Sequence, residues 1–540
     1  MQTCSECTEA FLVIENEHAF LAQAGLPDPK KCFKCRHKER ISWRNERSLY
    51  HRDCEKCKKS IVACYSNESP VPVYCNTCWW GDTFDAYAYG RDFDFSRPFF
   101  EQFAELERSV PHFALFQDPA SENCQYTNYG IANKSCYMAL CFMSENVYYS
   151  HGAIQAKDCM DVTKAQQCEL CYECVDCTAC SRLLFSQNCF KCHESSFLLN
   201  CRNSTNCFAS INLNQKEYVW MNEQLTKEEY EKRKAALILT PEKIKEIKEN
   251  LAQVASKSIH RSIFGMNNNN SVGDYMDGCD NVYFCFDGIG LKDSAYCDFT
   301  GVNSHTLYDC TYGGIDSALV YQSMGFTNLN NVFFQIGGRN VYDSLYNQYC
   351  YSSHHLFGCV GVTHGEYVIF NKRYSAEDYE VLKNKIIEHM RAAASADGGV
   401  QTAEWGSFFP AKNSPHAYNE TLANEYYPLE KEEVLKQGLR WKDREAQKQS
   451  SENVTAQKCK QCARSFQLIT QELAFYAEHA LPFPEHCPEC RHRRRFLSRR
   501  ARKLWQRACD HCKSPIATAF PPEATETIYC EKCYAETFYT

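Results

Sequence analysis

Cys4-Ser5-Glu6-Cys7, Cys32-Phe33-Lys34-Cys35, Cys54-Glu55-Lys56-Cys57 and Cys75-Asn76-Thr77-Cys78 stand at the start of this 540-residue chain. Four pairs of the same form stand at its end: Cys459-Lys460-Gln461-Cys462, Cys487-Pro488-Glu489-Cys490, Cys509-Asp510-His511-Cys512 and Cys530-Glu531-Lys532-Cys533. Every cysteine of the first set has its counterpart 455 residues later, so all the gaps are kept. A CxxC knuckle aims two thiolates at one tetrahedral ion, and two knuckles complete a Cys₄ site. Each end therefore reads as a double zinc module, and the chain is expected to carry four structural Zn²⁺ ions. Sequential pairing of the knuckles is favoured over a cross-brace, because shorter loops cost less entropy to close.

Disulfides are the plainer alternative. CxxC pairs are poor long-range staples and good metal knuckles. A redox motif would be one CxxC beside a thioredoxin-like unit, not eight in an array. Residues 1–25 lack a basic start followed by an apolar run, and Glu6, Glu9, Glu15 and Glu17 interrupt them. No stretch reads as membrane-spanning. A cytoplasmic protein with reduced thiols and no membrane partner is the expectation.

More than cysteine repeats at the 455 offset. Phe11 meets Phe466, Phe20 meets Phe475, Pro27 and Pro29 meet Pro482 and Pro484, Arg36-His37 meets Arg491-His492, and Arg40 meets Arg495. The run Cys459-x₂-Cys462, Phe466, Phe475-Tyr476, Pro482, Cys487-Pro488-x-Cys490-Arg491 resembles the bacterial short zinc-ribbon family, with its CxxC, FY, P and CxxCR pattern. The N-terminal copy is similar, though Leu21 follows Phe20 where the pattern has a second aromatic. The whole arrangement also resembles zinc-ribbon proteins of candidate-phylum bacteria. The resemblance implies zinc binding over about a third of the chain and implies no activity.

Formal net charge is −8. A Zn²⁺ with four thiolates carries −2, so four sites would bring the total to about −16. Nucleic acid would find no globally attractive surface. Locally, Arg491, Arg493, Arg494, Arg495, Arg499, Arg500, Arg502, Lys503 and Arg507 fall in one acid-free run that includes Phe496 and Trp505. Cations interleaved with aromatics suit phosphate contact and base stacking. The candidate nucleic-acid residues are Arg493, Arg494, Arg495, Arg499, Arg500, Arg502 and Trp505. The competing explanation is charge compensation beside dianionic metal centres. The N-terminal equivalent, Arg36 to Arg52, is diluted by Glu39 and Glu46.

The middle of the chain is duplicated as well. Glu217-Tyr218-Val219, Asn222 and Glu228-Glu229-Tyr230 recur 149 residues on as Glu366-Tyr367-Val368, Asn371 and Glu377-Asp378-Tyr379. Thr226 with Glu229, and Ser375 with Asp378, predict helix starts. Helices are expected from Thr226 to about Leu239, from Thr240-Pro241 to about Ser256, over 375–394 and over 429–450. Upstream, Val282, Ala295, Leu307, Leu319 and Val332 recur every 12 or 13 residues between Gly, Asn and Asp, the mark of stacked β coils. In the first copy Cys159, Cys168, Cys171, Cys174, Cys177, Cys180, Cys189, Cys192, Cys201 and Cys207 all fall on multiples of three. A metal cluster at Cys168–Cys180 competes with a small-residue core, and the core is preferred because the second copy does not keep these cysteines.

The expected fold is mixed and mainly β: a duplicated parallel β-solenoid with inserted helices, flanked by double zinc-ribbon modules. The segments are 1–80 (N-terminal double ribbon), 81–123 (aromatic connector, wrapping the ribbon and the first solenoid half), 124–222 (first half), 223–262 (helical insert), 263–371 (second half), 372–455 (helix, irregular arm, helix) and 456–540 (C-terminal double ribbon). Asn267–Asn270 reads as a loop, and His151, His193, His305, His354, His355 and His364 as surface or turn residues. No GxSxG, P-loop or HExxH is present. A non-enzymatic binding protein touching RNA or the ribosome leads the functional expectations. A protein-interaction scaffold comes next, then a glycan-acting β-helix enzyme, which would need an acidic pair facing one cleft. The duplicated ends also allow a homodimer.

Overall fold

The computed structural model describes residues 1–392, 403–443 and 456–539. The chain is mainly β, and it divides into two compact units in a crosswise manner. Unit 1 joins Met1–Leu115 to Phe264–Arg444, and unit 2 joins Phe116–Ile263 to Glu445–Thr540. Each terminal module thus belongs with the half of the middle region farther from it in sequence. The aromatic connector follows the same rule only in part. As far as Leu115 it packs on the second half, where Phe99 stacks on Phe357 (5.4 Å), whereas Phe116 stacks on Tyr129 of the first half (4.9 Å).

In unit 2 the strands pair in parallel with a step of twelve residues: His151 pairs with Thr163 and Thr163 with Val175, while Ser181, His193, Thr205 and Glu217 form a second column. A left-handed residue recurs every third position, as at Gln155, Asp158, Asp161, Lys164 and Gln167. Four three-residue sides therefore make each twelve-residue step. Asn supplies several of these bends, at Asn188, Asn200, Asn203, Asn206 and Asn212, and tolerates them better than most residues. Every third residue then points inward: Cys159, Val162, Ala165, Cys168, Cys171, Cys174, Cys177, Cys180 and Leu183 are all buried in one core. So tight an interior admits small side chains. The thiols donate to backbone carbonyls, as Cys168 Sγ does to Gln166 O and Cys177 O (both 3.4 Å). Serines at inward positions work in both directions: Ser186 Oγ donates to Leu184 O (2.9 Å) and accepts from Leu198 N–H (2.9 Å).

Unit 1 uses the same parallel pairing with bulkier residues and longer strands, including Asp298–Tyr308 and Met324–Phe357. Its inward column is Val282, Ser294, Leu307, Val320 and Val332. The expected members Ala295 and Leu319 are each one position off it, because Leu319 takes the left-handed bend (φ 54°) and the column passes to Val320. Asn267–Asn270 is part of this stack and not a free loop: Asn269 bridges Asp280.

The helix starts follow their caps. Thr226 and Glu229 form a complete capping box before Lys227–Ala235, Thr240 caps Pro241–Ser256, and Ser375 caps Ala376–Arg391. The first ends before Leu239. The helix expected over 429–450 is confined to Lys431–Lys436, and Gly438 follows it at φ +70°; residues 444–450 lie outside the described residues, as does the start of the irregular arm.

Unit 1 buries a polar cluster beside the connector. His112 Nδ1 pairs with Tyr65 Oη (3.0 Å), His416 stacks on Tyr65 (4.9 Å), and His112 Nε2 lies 3.6 Å from Glu107 Oε1. Burial lowers His112 to about 4 and His416 to about 3, and raises Glu107 to about 8. A histidine held neutral stabilises the fold above its ordinary value near 6.5, and that contribution is lost as pH falls toward 4 and then 3. A carboxyl held protonated acts oppositely: its contribution is complete below about 4.5 and is lost as pH rises toward 8. The two histidines therefore pull unit 1 toward lower stability from pH 6.5 to 4, against Glu107 and against Glu17, which burial likewise raises, to about 7. His416→Phe should flatten that slope by about 1.4 kcal/mol per pH unit, one proton's worth. Calorimetric melts across this range test it, and an unchanged slope would contradict it.

Candidate metal centres and their arginine clamps

The sixteen terminal cysteines gather as four tetrads, and they group sequentially. The tetrads are Cys4, Cys7, Cys32 and Cys35; Cys54, Cys57, Cys75 and Cys78; Cys459, Cys462, Cys487 and Cys490; and Cys509, Cys512, Cys530 and Cys533. Within each tetrad all sulfurs lie within 4.8 Å of one another. Among the described residues Cys168–Cys180 form no such cluster.

Local structure explains the convergence. A two-stranded antiparallel ribbon flanks each first knuckle, as Tyr50–Asp53 with Ser60–Ala63 and Trp505–Ala508 with Pro515–Thr518 do. Each second knuckle opens a helix, with Cys32, Cys75, Cys487 and Cys530 at the N-caps. Backbone amides aim at the sulfurs: Cys32 N–H donates to Cys4 Sγ, Cys75 N–H to Cys54 Sγ and Cys530 N–H to Cys509 Sγ, each at 3.2 Å.

The donor set fits a tetrahedral ion. Four sulfurs about 2.3 Å from a central zinc lie about 3.8 Å apart along each edge, whereas a disulfide needs about 2.05 Å. The contacts Cys7–Cys32, Cys57–Cys75, Cys462–Cys487 and Cys512–Cys530 measure 3.6, 3.9, 3.7 and 3.8 Å. Electrostatics points the same way. The hydrogen bond with Cys35 lowers Cys32 to about 5, and the same contact raises Cys35 far above its ordinary value. Thiols this close cannot all ionise by themselves, and a dication removes the conflict.

The residue after the last cysteine of each CxxCR has a second task. Arg36 is buried and bonds Glu17 (3.0 Å) and Asp309 (2.7 Å), and Arg40, one helical turn on, bonds the other oxygen of Asp309 (3.0 Å). Unit 2 repeats this with Arg491 on Glu472 (2.8 Å) and Asp161 (3.2 Å), and Arg495 on Asp161 (2.7 Å). Thr311 and Thr163 accept from Arg40 and Arg495 at 3.4 and 3.3 Å. Each terminal module is thereby clamped to the parallel β region of its unit. Burial raises Glu17 to about 7, with Arg36 opposing and Asp309 reinforcing the rise, while the guanidinium of Arg36 is held charged. We assign the charge of this cluster to Arg36, Arg40 and Asp309 first, because Asp309 faces two guanidinia and Glu17 shares one. At Glu173, burial works upward, but Lys248, Arg494, Arg495 and Arg491 outweigh it and bring the carboxyl to about 2.

The sequence-derived basic strip is therefore divided. Arg495 is buried on Asp161 and Glu173, Arg499 pairs with Asp176 (2.9 Å), and Arg494 reaches Glu173 (2.6 Å) from an exposed position. Arg500 donates to Ser262 O and Arg261 O (3.3 and 3.1 Å) and covers the Phe520 ring. Arg493 is exposed, Arg502 and Trp505 are half-buried, and Lys503 Nζ sits 5.0 Å from the Trp505 ring centre. Charge compensation does operate here, but β-region carboxylates provide it for the arginines. Sequence reading missed these partners, Asp161, Glu173, Asp176 and Asp309. A signal existed: Asp161 and Thr163 recur 148 residues later as Asp309 and Thr311. Among the histidines read as surface residues, His151 is buried against the His492 ring (5.3 Å).

No protein-family model matches this chain, and no curated protein does. Among solved structures, one described as a "putative acetyltransferase" from Desulfovibrio desulfuricans G20 aligns over 48% of this chain and 71% of its own, at 9% identity and a TM-score of 0.10. So low a score carries no argument. Among the described residues no helix is long and apolar enough to cross a membrane.

Removing one partner of a buried ion pair costs about 3–5 kcal/mol. Asp309→Ala should destabilise unit 1, and Asp161→Ala unit 2, by about that amount, while a surface change such as Glu228→Ala should stay within about 0.5 kcal/mol. Urea titrations of the three variants provide the comparison. Equal stability of all three would remove the clamp.

Proposed function

We propose that this protein is a zinc-organised binding protein of the short zinc-ribbon type, with four structural Zn²⁺ ions and a parallel β-solenoid in two halves. The sulfur spacing supports zinc, since Cys₄ sets with edges near 3.8 Å suit its tetrahedral preference. The twelve-residue parallel pairing with a left-handed bend every third residue supports the solenoid. The bound ions set the directions of the clamp arginines, so metal loading and folding of the units are one process.

The binding partner in this proposal is nucleic acid, RNA or the ribosome, and the contact surface is what the clamp leaves over. One observation carries it: the C-terminal basic helix buries Arg491 and Arg495 against acids yet presents Arg493 to solvent, with Lys503 over Trp505 nearby in sequence. Arg493 and Lys503 would meet phosphates and Trp505 would offer a stacking face. Arg495, Arg499 and Arg500 serve by holding the module in place.

Zinc-loaded protein should bind single-stranded RNA with affinity falling steeply with salt. Arg493→Ala/Lys503→Ala should reduce the slope of log K against log salt by about 0.7 per cation removed. Trp505→Ala should cost about 1–3 kcal/mol if one base stacks there. Elemental analysis should find four zinc per chain. RNA affinity and slope unmoved by these substitutions would dispose of the nucleic-acid part, and a different metal count would dispose of the zinc part.

A further inference from the structure

We propose that a cleft in unit 1 binds a neutral saccharide. Its volume is about 270 Å³, slightly under the range of about 300–1,000 Å³ common for small-ligand sites. It opens where the start of the helix Glu15–Gln23 meets the parallel strands Val272–Asp274, Asp280–Phe286 and Ile289–Ala295. It belongs wholly to unit 1, whereas the basic strip belongs to unit 2, so it does not rest on the nucleic-acid proposal.

The chemistry of the lining selects the ligand class. Asn270 Nδ2 donates to Asn281 Oδ1 (3.1 Å), and Asn281 Nδ2 donates to Asp293 Oδ1 (2.6 Å). This is a rail of side chains on successive steps of the stack, and each left-handed bend fixes its member: φ is 41°, 54° and 45°. The rail keeps capacity in reserve, since every amide nitrogen has a second hydrogen and Asp293 a second carboxylate oxygen. Glu15 and Asn16, both exposed, add an acceptor and an amide at the helix start, where Ile14 gives no side-chain cap. Tyr283 is 40% exposed, an unusual degree for a tyrosine in a stack with so many buried rings.

Sugar hydroxyls donate and accept at once, and the C–H face of a pyranose packs on an aromatic ring. The cleft provides acceptors, two-way amides and a ring. It has no basic lining residue, and Glu15 with Asp293 would repel a phosphate or another anion. A hard cation would want several oxygens on one centre, and two carboxylates line the cleft, one of them already engaged in the rail. A neutral polyhydroxylated ring is what remains.

The test uses the full-length, zinc-loaded protein and calorimetric titration with maltotriose, cellotriose and triacetylchitotriose. At least one should bind with a millimolar or tighter Kd. Tyr283→Ala and Asp293→Ala should each weaken it about tenfold. Should either variant lose zinc or its circular-dichroism spectrum, Asn16→Ala decides instead, because an exposed residue in a first helical turn can be truncated without disturbing the rail; about threefold weakening is expected. No binding of any of the three up to about 10 mM would overturn the proposal. So would binding that the folded variants leave unchanged.

Discussion

A buried aspartate held between two arginines joins each end of this chain to its middle. Asp309 lies between Arg36 and Arg40, and Asp161 between Arg491 and Arg495, all essentially without solvent exposure. Charges at that depth are tolerable only when each has a partner at hydrogen-bond distance. The arginines follow the second knuckle of a cysteine tetrad and ride on the helix that this knuckle starts. Tetrad, helix and clamp therefore form one chain of dependence. The tetrad fixes the knuckle, the knuckle fixes the helix N-terminus, and the helix puts two guanidinia one turn apart on one carboxylate.

The β regions meet a different constraint, which is room. Twelve residues per step and a left-handed bend every third residue leave an interior that small side chains fill. Unit 2 answers with alanine, cysteine and serine, and the thiols and hydroxyls add a second bond to carbonyls that already accept from the backbone, as Leu183 O does from Tyr172 N–H and Cys174 Sγ. Unit 1 answers with Leu, Val and Phe on longer strands, and adds the connector's aromatic rings to its outside. One duplicated pattern thus has two compositions. That is why the cysteines of the first copy look like a metal cluster in the sequence yet act as packing atoms.

The basic strip shows why a charge run is a poor guide to a binding surface. Nine cations between 491 and 507 look equivalent in the sequence. In the folded chain they divide by helical phase: Arg491 and Arg495, four apart, face the β region and are neutralised there, whereas Arg493 between them faces water. A charge on the inner face contributes to cohesion, and only one on the outer face is available to a partner.

The sequence by itself determined the tetrads, the duplication and most helix starts, because these rest on local physics: a CxxC turns two thiols toward one point, a capping box needs four residues, and a bend every third residue leaves a period. Thr226, Thr240 and Ser375 cap where their own neighbours require it. Only the tertiary structure decided which terminal module belongs with which half, which arginines are buried, and that Asn270, Asn281 and Asp293 line one cleft with Glu15 and Asn16. Those facts rest on contacts between residues hundreds of positions apart. The partner of a buried charge is set by whichever opposite charge the fold brings within about 3 Å, and sequence spacing contains no measure of that distance.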